Sequence, residues 1–118
     1  MNMALVLIID KSFDSLVHLS HLFQTNGHEC RLASSWKMAL EHLLIEAFDI
    51  IVCEYCIDGE DAFWFMRHLE TLKISAHYLV MSDDISVKDK ILAEGFQVGF
   101  CLKPVVWDDL FIQINHQL

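Results

Sequence analysis

The chain has 118 residues, a length typical of one domain, and 54% of them are hydrophobic. Its 17 acidic and 8 basic residues give a formal net charge of -9, and such an excess of negative charge disfavours direct binding to nucleic acid. No apolar run approaches the roughly 18 residues that span a membrane, and the apolar start lacks the basic leader of a signal peptide, so we expect one cytoplasmic domain over residues 1–118.

Five short apolar runs alternate with five amphipathic stretches along the chain. Several runs are continuous, which is typical of strands buried on both faces of a parallel sheet. We predict strands at residues 4–9, 29–33, 49–53, 77–81 and 98–102. We predict helices from about residue 13 to the Asn26-Gly27 stop, from a Ser35 cap onward, and at 61–72, 84–95 and 107–118.

Parallel strands need crossover helices, and these crossovers are right-handed. The predicted fold class is therefore α/β, a doubly wound five-stranded parallel sheet with five helices. The functional groups of such sheets collect at the carboxyl ends of the strands. We expect four polar pairs to meet at that edge of the sheet: Asp10-Lys11, Glu54-Tyr55, Ser82-Asp83 and Lys103-Pro104.

This order of motifs resembles the receiver domains of bacterial response regulators, and the resemblance covers essentially the whole chain. In that family an acidic pair ends the first strand, a phosphorylated Asp the third and a Thr or Ser the fourth, and Lys-Pro follows the fifth. The matching residues here are Asp10, Glu54, Ser82 and Lys103. The resemblance implies a flavodoxin-like (βα)5 fold and a two-component signalling module that binds proteins and is not an enzyme.

The departures from the family pattern fall at the centre of the site. Lys11 stands where the family has its second acid, a ligand of the metal, and Glu54 stands where it has the phosphoacceptor. The usual Met-Pro of the next loop is Ile57-Asp58, and the later Gly is Ala62. The chain therefore resembles the atypical receivers that work without phosphorylation of an Asp.

The charges of these residues favour a site without a metal. Asp10 and Glu54 balance Lys11 and Lys103, and the Lys11 ammonium could take the place of the metal. Magnesium prefers several oxygen ligands, so we expect its binding to be weak or absent and predict no cofactor. Glu54 could pair with Lys103 or Lys11 and hold the site in one state, and a purely structural ion pair is the alternative.

Two further sets of residues follow from the resemblance. Ser82 and Phe100 match the pair that moves together when a receiver is activated. The family's usual interface is built from the fourth helix, the fifth strand and the fifth helix, and here we expect Ile91, Trp107 and Phe111 to contact a protein partner or a second copy of the chain. Trp107 is the best candidate for an exposed anchor, because tryptophan is enriched in interface hot spots.

Other functions remain open. The chain could be phosphorylated on another carboxylate, such as Asp58 or Asp10, or Cys53 and Cys56 could form a redox pair. A nucleotide-binding enzyme is disfavoured because no glycine-rich phosphate loop follows the first strand. An output domain could follow Leu118 in a longer protein.

Overall fold

The structure is a computed structural model that describes residues 3–118. Its strands are β1 (Leu5–Ile9), β2 (Glu29–Ala33), β3 (Ile50–Glu54), β4 (Cys56–Ile57), β5 (Glu60–Asp61), β6 (His77–Ser82) and β7 (Gly99–Leu102). Five of them form one parallel sheet in the order β2-β1-β3-β6-β7. The predicted doubly wound α/β fold is confirmed.

Four helices lie between strands and a fifth follows the last strand: α1 (Phe13–Thr25), α2 (Trp36–Ile45), α3 (Ala62–Thr71), α4 (Ser86–Glu94) and α5 (Trp107–Gln117). The side chains of Ser12, Ser35 and Asp61 accept hydrogen bonds from the first turns of α1, α2 and α3, which satisfies amide groups that have no partner inside the helix. Gly95 ends α4 with a φ of 75°, a conformation that costs glycine little. None of the described helices is both long and apolar enough to cross a membrane.

Both faces of the sheet are covered. On one face, side chains such as Leu7, Ile9 and Ile51 pack against α2, α3 and α4. On the other face, their chain neighbours such as Val6 and Ile8 pack against α1 and α5. Because successive side chains of a strand point to opposite faces, a strand buried on both sides is apolar at every position.

The structure differs from the sequence predictions in a short hairpin and in the burial of one predicted interface residue. Cys56–Ile57 and Glu60–Asp61 form a short antiparallel hairpin directly after β3, which the apolar runs did not predict because each arm has only two residues. Ile91, predicted as an interface residue, is wrong in that role: its side chain is 4% exposed and packs in the core beside Val87, one helical turn earlier.

Candidate functional site

The four predicted strand ends do meet at one edge of the sheet. Glu54 and Ser82 are the last residues of β3 and β6, and Asp10 and Lys103 directly follow β1 and β7. The backbone N–H of Lys103 donates to the Ser82 carbonyl oxygen at 2.8 Å. The parallel register therefore places a lysine side chain and two carboxylates within reach of one another.

Lys103 is the centre of this edge. Its Nζ donates to Asp10 Oδ2 at 2.6 Å and also to Glu54 Oε2, and Ser15 Oγ lies 3.4 Å away. Asp10 is 2% exposed, and its other oxygen, Oδ1, accepts the backbone N–H of Ser12 at 2.9 Å. We call Asp10, Glu54 and Lys103 the Lys103 cluster. The Lys103 ammonium thus donates hydrogen bonds to two carboxylates.

The environment of the Lys103 cluster raises the pKa of both Lys103 and Glu54, for different reasons. Burial disfavours the Lys103 ammonium, but its hydrogen bonds to Asp10 and Glu54 outweigh that effect and raise its pKa above the ordinary value. Burial raises the pKa of the Glu54 carboxyl, the hydrogen bond from Lys103 opposes this, and the nearby Asp10 carboxylate adds to the increase. The pKa directions indicate that Lys103 stays charged and that Glu54 is the easier of the two to neutralise.

Lys11 does not occupy the position expected for it. Its ammonium forms an ion pair with Asp58 in the turn of the hairpin after β3, and the two side chains are 68% and 61% exposed. Asp58 and Gly59 make that turn with φ angles of 50° and 85°. The expectation that Lys11 takes the place of the metal is therefore wrong in this structure, because the exposed hairpin turn offers it a carboxylate outside the Lys103 cluster.

Ser82 and Phe100, the predicted switch pair, lie on neighbouring strands. Ser82 is buried at 6% exposure, and its Oγ accepts the backbone N–H of Asp84 at 3.1 Å. Phe100 is half-buried and packs against the core under α4. Both side chains have structural contacts in this state, and their role as a switch stays a prediction.

The remaining predicted interface residues differ in exposure. Phe111 is 42% exposed. Trp107 is half-buried, with its ring centroid 5.7 Å from that of Phe23 and 6.0 Å from that of His28. Trp107 thus packs on its own chain. Other apolar side chains in or next to α4, β7 and α5 are more exposed than Phe111: Ile85, Leu92, Leu102, Val106 and Ile112.

The environment of Cys53 disfavours the predicted redox role of the Cys53 and Cys56 pair. Burial raises the pKa of the Cys53 thiol, so this thiol stays protonated, whereas reactive cysteines have a lowered pKa. Cys56 is exposed on β4, and both cysteines are free thiols.

Solved structures of receivers share this fold. Over 99% of this chain and 100% of theirs, the chemotaxis response regulator CheY4 of Vibrio cholerae superposes with a TM-score of 0.82 at 24% identity. The receiver domain of Francisella response regulator 1452 gives a TM-score of 0.81 at 23% identity, over 97% of this chain and 95% of that one. The chain has the receiver fold. The resemblance noted from the strand-end motifs is confirmed at the level of fold.

Sequence comparison finds similarity to transcriptional regulatory proteins. The transcriptional regulatory protein ZraR of Escherichia coli strain K12 is 24% identical over 108 residues, which is 89% of this chain and 24% of ZraR. The chain spans about a quarter of the length of the curated relatives it matches. No family model matches the chain.

Proposed function

We propose that the chain is a signalling domain of response-regulator type that acts by binding a protein partner, without phosphorylation of an Asp and without enzymatic activity. The receiver fold supports the signalling class. The observation that carries the rest is the Lys103 cluster, in which the only carboxylate at the phosphoacceptor place, Glu54, is already bonded to Lys103.

The composition of the site supports weak or absent magnesium binding. A metal-bound receiver needs several oxygen ligands, and magnesium accepts only near-ideal octahedral geometry. Here the acid predicted as a second ligand is replaced by Lys11, and both carboxylates of the Lys103 cluster share one ammonium. Within residues 3–118, no group of three His, Cys, Asp or Glu side chains is placed to hold a metal ion. The replaced acid and the shared ammonium support weak or absent magnesium binding.

The contact between Glu54 and Lys103 supports a site that is held in one conformational state. Its carboxylate reaches Lys103 although Glu54 remains partly exposed, at 22% of its side chain. A carboxylate carries about one charge against ~1.5–2 for a phosphoryl group, so any resemblance to a phosphorylated site is partial. The state is set by this covalently fixed charge rather than by a phosphoryl group that comes and goes.

The partner surface we propose is the face formed by α4, β7 and α5. Leu92 on α4, Leu102 at the end of β7 and Phe111 on α5 expose between 42% and 71% of their side chains. Exposed apolar side chains are favourable anchors for a protein partner, because binding removes their surface from water. The chain's charge of -9 opposes contact with nucleic acid or anionic membranes at this or any other face.

The test is the intact mass of the chain after incubation with acetyl phosphate and magnesium. We expect no phosphoryl group on the natural chain and one on the double variant Lys11→Asp, Glu54→Asp, which restores the acid and the phosphoacceptor of the family pattern. If the natural chain is phosphorylated, the proposal is wrong, and mapping the modified residue distinguishes Glu54 from Asp10 and Asp58.

A second measurement tests the fixed state. Glu54→Gln removes the charge and keeps the shape, so backbone amide resonances on the α4–β7–α5 face should shift in the variant if Glu54 sets the state of that face. If shifts stay within the residues that touch Lys103, the Lys103 cluster is only a structural ion pair. Sedimentation of the natural chain shows whether a second copy is the partner.

A further inference from the structure

A cavity of about 420 Å³ lies next to the Lys103 cluster, between the first turns of α1 and the segment that follows β7. Small-molecule sites in proteins have volumes of about 300–1,000 Å³ and mostly apolar walls. The walls of this cavity are mainly apolar, and Lys103 lines it on one side. No sequence motif predicts this cavity, because its walls come from three separate segments of the chain.

The apolar wall is held in place. Leu19 and Val105, which line it, are 1% and 4% exposed. Nε2 of His18 lies 3.0 Å from the carbonyl oxygen of Val105, and because a carbonyl only accepts, that ring nitrogen carries the proton. The hydrogen bond ties α1 to the segment after β7, so the cavity needs no rearrangement of either element to exist.

The charged side chains that remain available to bind a ligand in this cavity are carboxylates. Asp14, in the first turn of α1, and Asp83, directly after β6, are exposed and line it from two sides. Neither takes part in an ion pair among the residues that the structure describes. The Lys103 ammonium is already shared by Asp10 and Glu54. The net charge of -9 on the whole chain acts in the same direction.

We propose that this cavity binds a small organic cation, with an apolar body against Leu19, Pro104 and Val105 and an ammonium group between Asp14 and Asp83. The site deepens the proposed function and rests on it, because Lys103 lines the cavity and a bound cation lies beside the ammonium that holds Glu54. The ligand would then set the state of the Lys103 cluster where phosphorylation does not.

The experiment is an NMR titration of the labelled chain with tryptamine, an aromatic ring on a short aminoalkyl arm. Indole-3-acetate carries the same ring with a negative charge, and tryptophol carries it with a neutral hydroxyl. We expect saturable shifts at the amides of the cavity with tryptamine and affinities about tenfold weaker with the two analogues. Equal binding of indole-3-acetate or tryptophol overturns the assignment to cations.

Three variants locate the site. Asp14→Asn, Asp83→Asn should weaken tryptamine binding about tenfold. Glu41→Gln, Asp89→Asn removes the same charge from exposed positions on α2 and α4 and should leave binding unchanged. Ser15→Leu keeps both cavity carboxylates, fills space at the wall and should abolish binding.

Equal loss in both double variants, or unaltered binding by Ser15→Leu, overturns the site. The absence of saturable shifts in the natural chain also overturns the proposed site. Phosphorylation of the natural chain by acetyl phosphate would overturn the proposed function and leave these titrations intact, so the two failures are distinguishable.

Discussion

Two lysine–carboxylate clusters lie near the same edge of the sheet, and they differ in burial. Lys103 is 19% exposed and bonds to Asp10 at 2% and Glu54 at 22% exposure. Lys11 and Asp58 are 68% and 61% exposed. Both join a lysine ammonium to carboxylates, and they differ in burial and in the number of carboxylates, which is two for Lys103 and one for Lys11.

Burial changes the energy in two opposing ways. Taking ions out of water is costly, and the attraction between them repays that cost only when geometry and hydrogen bonds are good. Removing one member of a buried pair leaves the other uncompensated, whereas an exposed partner is simply hydrated. The Lys103 cluster should therefore be sensitive to loss of one member, and the Lys11–Asp58 pair should not.

The largest expected effect is that of Lys103→Met. The variant leaves Asp10 buried with no ammonium beside it, and we expect the free energy of unfolding to fall by about 3 kcal/mol. Urea unfolding at pH 7, monitored by far-UV circular dichroism, measures the change. A loss below about 1 kcal/mol would mean that Asp10 is better compensated by its Ser12 N–H bond than burial implies.

The matched control is the double variant Asp10→Asn, Lys103→Met. It removes the uncompensated charge together with its counter-ion, so it should be more stable than Lys103→Met alone. If the double variant is less stable than the single one, the loss comes from packing of the lysine stem and not from charge.

The sequence predicted this edge of the sheet because its signals are local. Strand ends can be read from apolar runs, and parallel strands bring their ends together, so Glu54 was expected near both Lys103 and Lys11. Helix ends were equally local: Ser35 caps α2 and Gly95 ends α4 as expected.

Side-chain direction was not predictable in the same way. Lys11 and Lys103 both follow a strand, yet only Lys103 bonds to Asp10 and Glu54, while Lys11 pairs with Asp58 in the hairpin turn. On α4 the apolar residues lie on two sides, and the choice of Val87 and Ile91 for the core over Leu92 depends on packing partners far away in the chain. The cavity beside Lys103 is likewise formed by distant segments.

A medium effect is expected at His28, a buried ionisable group that forms no ion pair within residues 3–118. Burial lowers the pKa of His28, whose Nδ1 accepts the backbone N–H of Ala4 at 3.0 Å. A histidine with a lowered folded-state pKa contributes stability above the unfolded pKa of 6.5, and that stability is lost as pH falls through the folded pKa. Urea unfolding between pH 8 and pH 5 (about 1.5 units either side of a free histidine) should show little change above the unfolded pKa and a decline below it.

His28→Gln keeps a hydrogen-bond acceptor and does not titrate, so its unfolding free energy should depend less on pH in the same range. His21→Gln, at an exposed position of α1, is the control and should follow the natural chain. Parallel curves for His28→Gln and the natural chain would show that the decline has another origin.

The smallest expected effect is that of Lys11→Met, which sharpens the comparison from the other side. Lys11 and Asp58 are mostly in water, so the released Asp58 carboxylate is hydrated at once and the unfolding free energy should change by less than about 0.5 kcal/mol. Adding 0.5 M salt should remove even this difference by screening, while the loss in Lys103→Met persists because that cluster is largely buried and is screened less. A loss of about 2 kcal/mol or more in Lys11→Met would show that the hairpin turn is held down by this ion pair, and that exposure alone does not decide what a lysine–carboxylate contact contributes.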